Sequence, residues 1–294
     1  MKFLRRALLV TVVGLLSACA GNRGIPASML GWNRPFPAFK IAGNVHYVGT
    51  EKMAIFLITT PQGHILLDSG FEAKVPQLKA SVESLGFRFE DIKILLASHA
   101  HIDHVQGHAE VRKLTGAKVY ASAEDAEVIR TGGKNEWAYG DAFSWTPCPV
   151  DEIVRDGQRI DLGGTTLVAR FTPGHTRGAT TWTMNVSDPA LSKKSSLAVV
   201  FFSSASVPPG AKLVDNPAYP DAVAAYKKSF ARWKALPCDV FLGSHSEFFD
   251  LARKYDARKD GQGGKPDPFL DPGGYQRAIA DWEKKFLAHV DSES

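Results

Sequence analysis

Four potential metal ligands fall within six residues, His99-Ala100-His101-Ile102-Asp103-His104, directly after a run, 92–97, that is apolar apart from Lys93. So short an apolar run reads as a buried strand. The fold must therefore deliver polar side chains to the end of a buried sheet. In extended chain His99 and His101 point to the same side, and Asp103 and His104 follow where a helix is predicted over 104–114. Imidazole and carboxylate donors without a thiolate suit zinc, although iron and manganese accept the same ligand types. Two further histidines follow predicted strands: His175 in Thr172-Pro173-Gly174-His175 and His245 in Leu242-Gly243-Ser244-His245. Together these residues form a set of six, enough for two metals with three protein ligands each. Open coordination positions of that kind mark a catalytic rather than a structural site. Two adjacent ions can share a hydroxide able to attack a carbonyl near neutral pH. His46, His64, His108 and His289 read as ordinary core or surface histidines.

Short apolar runs alternate with longer amphipathic ones in both halves of the chain. Strands are predicted over 45–48, 54–59, 64–67, 92–97 and 118–121, with helices over 74–85, 104–114 and 123–130. The second half repeats the theme with strands over 166–171, 180–185, 197–202 and 239–242. Helices are expected over 221–235 and 275–290, and a loop over 266–274. Two β-rich halves, each with helices outside, predict two sheets face to face with helices on both outer sides.

The N-terminus bears on location. Lys2, Arg5 and Arg6 precede an uncharged, largely apolar run over 7–16, and small residues lead to Cys19. This is the pattern of a bacterial export signal, too short to span a bilayer comfortably. Leu16-Ser17-Ala18-Cys19 also resembles a lipobox, so the expectation is cleavage before Cys19 and a lipid anchor there; plain secretion is the alternative. The expected organisation is a signal peptide over 1–18, a tether over 19–31 and one catalytic domain over 32–294. The location would be the periplasm, with the outer membrane favoured by Ala20. Removing 1–18 takes three positive charges and no acid, lowering the formal charge from +4 to +1. A near-neutral chain without a basic run gives no reason to expect nucleic acid as a partner. Of three cysteines, Cys148 and Cys238 would remain. They could pair in an oxidising compartment, but two unpaired thiols are the expectation.

His-Xaa-His-Xaa-Asp-His, then Thr-Pro-Gly-His, then a late Gly-Xaa-His, resembles the metallo-β-lactamase superfamily over about residues 32 to 290. The resemblance implies a four-layer αββα sandwich with two zinc ions at one edge. His99, His101 and His175 would hold the first, and Asp103, His104 and His245 the second. The stretches 60–68, 172–182 and 236–245 are similar to the third subclass of the class B β-lactamases, as is 216–220 more weakly. Lactone- and thioester-cleaving relatives usually carry a bridging Asp where this chain reads Phe201-Phe202-Ser203-Ser204-Ala205-Ser206. Another β-lactamase group carries a Cys ligand where Ser204 stands.

The implied reaction is hydrolysis of the β-lactam amide of penicillins, cephalosporins and carbapenems, with a metal-bound hydroxide as nucleophile and Asp103 orienting it. Ser204 and Ser206 would bind the substrate carboxylate, unless they form an ordinary turn. Asp68 would fix a ligand or loop, or serve only the strand end. Trp32, Phe36 and the stretch 137–145 would wall the cleft or join the core. A disulfide common in the subclass, from the position of Cys238 to the turn 271–275, lacks its second cysteine here. A monomer is expected. The competing readings are a periplasmic zinc hydrolase of lactones or thioesters, and a non-enzymatic lipoprotein with structural zinc.

Overall fold

The computed structural model describes residues 26–261 and 266–293. The expected signal peptide and Cys19 lie outside the described residues. The first sheet runs in sequence order: β1 (Phe39–Ala42), β2 (Val45–Tyr47), β3 (Phe56–Thr60), β4 (Gly63–Leu67), β5 (Ile92–Leu96), β6 (Lys118–Ala121) and β7 (Glu152–Ile153). Its first four strands pair antiparallel, and β4 to β7 pair parallel. The second sheet has the order β12 (Val240–Gly243), β11 (Leu197–Phe202), β10 (Thr180–Val186), β9 (Thr165–Phe171), β8 (Arg159–Leu162). Its β11–β12 pair is parallel and the rest antiparallel.

Side-chain alternation explains the layers. In β3 and β4, Phe56, Ile58, Ile65 and Leu67 join the core cluster that also holds Trp182, Met184 and Phe201 of the second sheet. Leu57 and Leu66, pointing the other way, pack in a second cluster with Val75, Leu78 and Val82 of helix α1 (Val75–Ser84). Residues two apart share a sheet face, so one run of apolar residues feeds both the inter-sheet core and the helix layer. On the far side, α5 (Ala222–Ala235) and α7 (Pro272–Glu293) bury Tyr226, Phe230, Trp233, Tyr275, Ile279 and Phe286. This is the αββα sandwich that the sequence predicted.

Several local expectations are corrected. The helix predicted over 104–114 is two pieces, α2 (Ile102–Val105) and α3 (His108–Thr115). Gly107 separates them, and its backbone lies so close to Ser69 that a Cβ would stand 2.9 Å from the Ser69 carbonyl oxygen. The two other short helices are α4 (Ala123–Thr131) and α6 (Leu251–Lys259); α6 was not foreseen. The loop expected over 266–274 ends early, because α7 begins at Pro272, where proline suits a first helical turn. The boundary expected between 31 and 32 falls inside a short 3₁₀ turn, Ala27–Asn33. Cys148 and Cys238 are both free thiols. Among the described residues no helix is long and apolar enough to cross a membrane.

Candidate metal centre

The six candidate ligands lie beyond strand ends on one edge of the sandwich, Asp103 and His104 on the short helix α2, and hydrogen bonds pin the loops after β5 and β12 to the other sheet. After β5, the Ala97 carbonyl accepts the indole N–H of Trp182 at 2.9 Å. The Ser98 carbonyl accepts the Thr180 N–H at 2.8 Å and the Ser203 hydroxyl at 3.0 Å. His245 follows β12, where the Ser244 carbonyl accepts the Ala54 N–H at 3.1 Å and Ser246 N–H donates to the Lys52 carbonyl at 3.0 Å. His175 follows β9 through Gly174, whose φ of 143° brings its backbone against Tyr226; a Cβ there would meet the ring at 2.8 Å.

These loops bring the residues together as two triads, His99–His101–His175 and Asp103–His104–His245, with the donor atoms of each within 4.8 Å of one another. In the second triad, Asp103 Oδ2 lies 3.3 Å from His104 Nε2 and 3.5 Å from His245 Nε2. The two Nε2 atoms are 3.2 Å apart. Tetrahedral zinc with bonds near 2.0–2.1 Å sets its ligand atoms about 3.3 Å apart. The donors of this triad thus stand at the spacing a bound zinc ion requires. In the first triad the ring centroids are 5.0, 4.6 and 4.5 Å apart.

Neighbouring groups fix the tautomers. His175 Nδ1 sits 2.7 Å from the Ser206 carbonyl oxygen, which can only accept, so Nδ1 carries the proton and Nε2 keeps a lone pair. His104 Nδ1 lies 3.0 Å from Asp68 Oδ2 and is oriented in the same way. Asp68 also accepts from Ser98 N–H at 2.7 Å and Ser98 Oγ–H at 2.6 Å. These bonds hold it in the left-handed region at φ 64°, a strained conformation for a residue other than glycine. Asp68 therefore does fix a ligand, the stronger of the two roles open to it from sequence.

Burial, then the neighbouring imidazoles, holds the pKa of His99 and His175 well below the usual histidine value. Burial and then His104 push His245 down to about 4. Burial opposes charge on Asp103, yet His104 and His245 outweigh it and hold its carboxyl below the usual range. His104 is also disfavoured as a cation by burial, but Asp103 and Asp68 push it up to about 10. A proton on its Nε2 would occupy the point where the second triad converges, so metal and proton compete there.

Both triads contribute to the wall of a cavity of about 300 Å³, through His101, Asp103, His175 and His245. Trp32, Tyr139, Phe143, Trp145 and Phe248 supply aromatic wall. Phe36 and Trp137 belong instead to the core cluster. The two serines separate: Ser206 lines the cavity, whereas Ser204 does not. Ser204 is 1% exposed, and its hydroxyl meets Ser206 Oγ at 3.0 Å and accepts the Ser206 N–H at 3.3 Å. It supports Ser206 rather than facing the cavity.

Two residues went unnoticed in the sequence. Asp125, on α4, accepts from Ala100 N–H at 2.9 Å, Thr176 Oγ–H at 3.0 Å and Gly178 N–H at 3.1 Å. It ties the loop of His99 and His101 to that of His175. The other, Glu136, lies beside His101. The only sequence signal for Asp125 was Ser122 three residues before it, whose hydroxyl accepts the Asp125 N–H as a helix cap.

Two converging donor triads at the edge of a two-sheet sandwich define a metal-binding site of the kind hydrolases use. Residues 54–185 match the family model of the metallo-β-lactamase superfamily. The metallo-β-lactamase of Legionella gormanii superposes with a TM-score of 0.85 at 44% identity, over 89% of this chain and 98% of that one. The subclass B3 metallo-β-lactamase of Bradyrhizobium japonicum does so at 0.82 and 35% identity, over 90% of this chain and 98% of that one. A hydroxyacylglutathione hydrolase of Fuscovulum blasticum is 31% identical over 128 residues, 44% of this chain and 41% of that protein. The chain spans between 40% and 53% of the length of the first curated relatives it matches. The chain belongs to the metallo-β-lactamase superfamily.

Proposed function

We propose that this protein is a β-lactamase that hydrolyses the lactam amide of penicillins, cephalosporins or carbapenems with two zinc ions bound. One observation carries the reading: both triads, each with its donor atoms within 4.8 Å of one another, contribute to the wall of one largely apolar cavity that Ser206 also lines. The similarity to the Legionella and Bradyrhizobium enzymes, spanning nearly their whole lengths, supports it. His99, His101 and His175 would hold one ion, and Asp103, His104 and His245 the other. When bound, zinc supplies Lewis acidity toward a carbonyl and lowers the pKa of water.

The chain's own residues do the rest. Asp103 stays ionised, so its carboxylate can accept a hydrogen bond from the attacking water and orient it. The Ser206 hydroxyl is placed to donate to a substrate carboxylate. Ser206 is itself fixed, because its carbonyl accepts from His175 Nδ1–H and from Tyr226 O–H at 2.8 Å. The aromatic walls exclude water and pack against the fused rings of the substrate. The segment 203–206 carries hydroxyls and no carboxylate, which disfavours the lactone- and thioester-cleaving pattern. From the N-terminal sequence we infer a periplasmic enzyme tethered through lipidated Cys19, and we propose that it acts as a monomer.

Purified protein should turn over nitrocefin or a carbapenem, and a chelator should stop it. Hydrolysis of a lactone or a thioester with no turnover of any β-lactam would refute the proposal.

A further inference from the structure

Beside the first triad, two buried polar atoms without hydrogen-bond partners face each other. They are His101 Nε2 and Glu136 Oε1, 3.6 Å apart. The other oxygen of Glu136 accepts the N–H groups of Ala138 and Tyr139, both at 2.9 Å. Its carbonyl accepts the Gly140 N–H at 2.7 Å. The carboxylate is thus fixed on a closed turn, with Oε1 directed at His101. The same turn touches the triad twice more. Trp137 donates its indole N–H to the His175 carbonyl at 3.0 Å, and the Tyr139 ring lies 5.4 Å from that of His101.

A buried carboxylate oxygen with no donor is unfavourable, and here one donor is a few tenths of an ångström beyond hydrogen-bond range. If His101 carries its proton on Nε2, that N–H is donated to Oε1 and the lone pair is left on Nδ1. Carboxylates that back metal-bound histidines act in this way, fixing tautomer and ring orientation. Glu136 lines the cavity, but its Oε1 is shielded from solvent and faces His101 instead.

We propose that Glu136 is a positioning residue that holds the His101 Nε2–H and so presents Nδ1 to the first metal. The inference rests on the reading of His99, His101 and His175 as a metal site. Replacement by glutamine sharpens it. The amide oxygen of Glu136→Gln would be taken by the two backbone N–H groups, turning the NH₂ toward His101 and favouring the opposite tautomer.

The test combines imidazole ¹⁵N NMR of the metal-free protein with zinc titration against a chromophoric chelator, on wild type, Glu136→Ala and Glu136→Gln. Wild type should show His101 protonated at Nε2, and Glu136→Gln should move that proton to Nδ1. In both variants one zinc-binding step should weaken about 10–100-fold, while the other is unchanged. Wild-type His101 protonated at Nδ1, or either variant binding zinc as tightly as wild type, would overturn the proposal. Wild-type protein that takes up no zinc would overturn the metal reading itself and this inference with it.

Discussion

The two donor triads differ in charge and in what stands behind them. The first is three imidazoles, backed by neutral groups at His175 and at His99, where the Ser98 hydroxyl is 3.1 Å from Nδ1, and by the Glu136 carboxylate beside His101. The second contains the Asp103 carboxylate and has Asp68 behind His104. On the proposed function, a dication in the first would meet no carboxylate ligand and only Glu136 beyond His101, so it would keep more of its charge for polarising a carbonyl. In the second, Asp103 and Asp68 would offset it, and they also favour a competing proton on His104. The sites are therefore suited to different work: the first to activating the carbonyl, the second to accepting charge and to ordering water beside Asp103.

The largest expected effect comes from the first triad. His175→Ala should abolish its metal binding and lower turnover on the order of a thousandfold, since Lewis-acid stabilisation is worth several kcal/mol. A fully active, metal-replete variant, seen by steady-state kinetics with metal analysis, would remove the distinction between the sites. Next, Asp68→Ala should weaken the second site about 10–100-fold. It should also destabilise the metal-free protein by about 3 kcal/mol, because it breaks a buried pair. Chelator competition and denaturant melts check both, and equal weakening of the two sites would break the comparison.

The smallest effect concerns the surface anchor of the His175 loop. Asp156 accepts from Arg232 and from the Phe171 N–H at 2.9 Å, close before His175. Its partial burial opposes ionisation, but Arg232 and that N–H hold its carboxyl below the usual range. Stability from this group is present above the ordinary carboxylate value and is lost as pH falls through the lower folded one. Asp156→Asn should therefore lose under about 1 kcal/mol at neutral pH, with a shallower acid limb in thermal melts. Its zinc affinity should stay at the wild-type value; a weakened first site would show that the triad needs its surface support.

Much of the site was legible because its densest part is local in sequence. His99 to His104 sit within one loop, and His175 and His245 each follow a readable strand. Asp68 was legible as a strand-end acid, and the structure shows its work. Asp125 and Glu136 were not legible, because only folding brings helix α4 and the turn 136–140 against the histidines. The serine pair could not be divided from sequence either: neighbours two apart share a side in extended chain, but this segment is irregular chain beyond β11, in which Ser204 is buried and Ser206 reaches the cavity. In the fold, β3 and β4 were plain from their alternating apolar residues. β8 was missed because its four residues alternate with charges and only Ile160 is buried. α6 was missed because it is charged on most of its surface and buries only Leu251 and Lys254.

The most direct test of the account counts metal ions by native mass spectrometry on wild type and His175→Ala, each reconstituted with zinc. Two ions per chain in wild type and one in the variant are predicted. A single ion in wild type, or an unchanged count in the variant, would contradict a centre built from two separate triads.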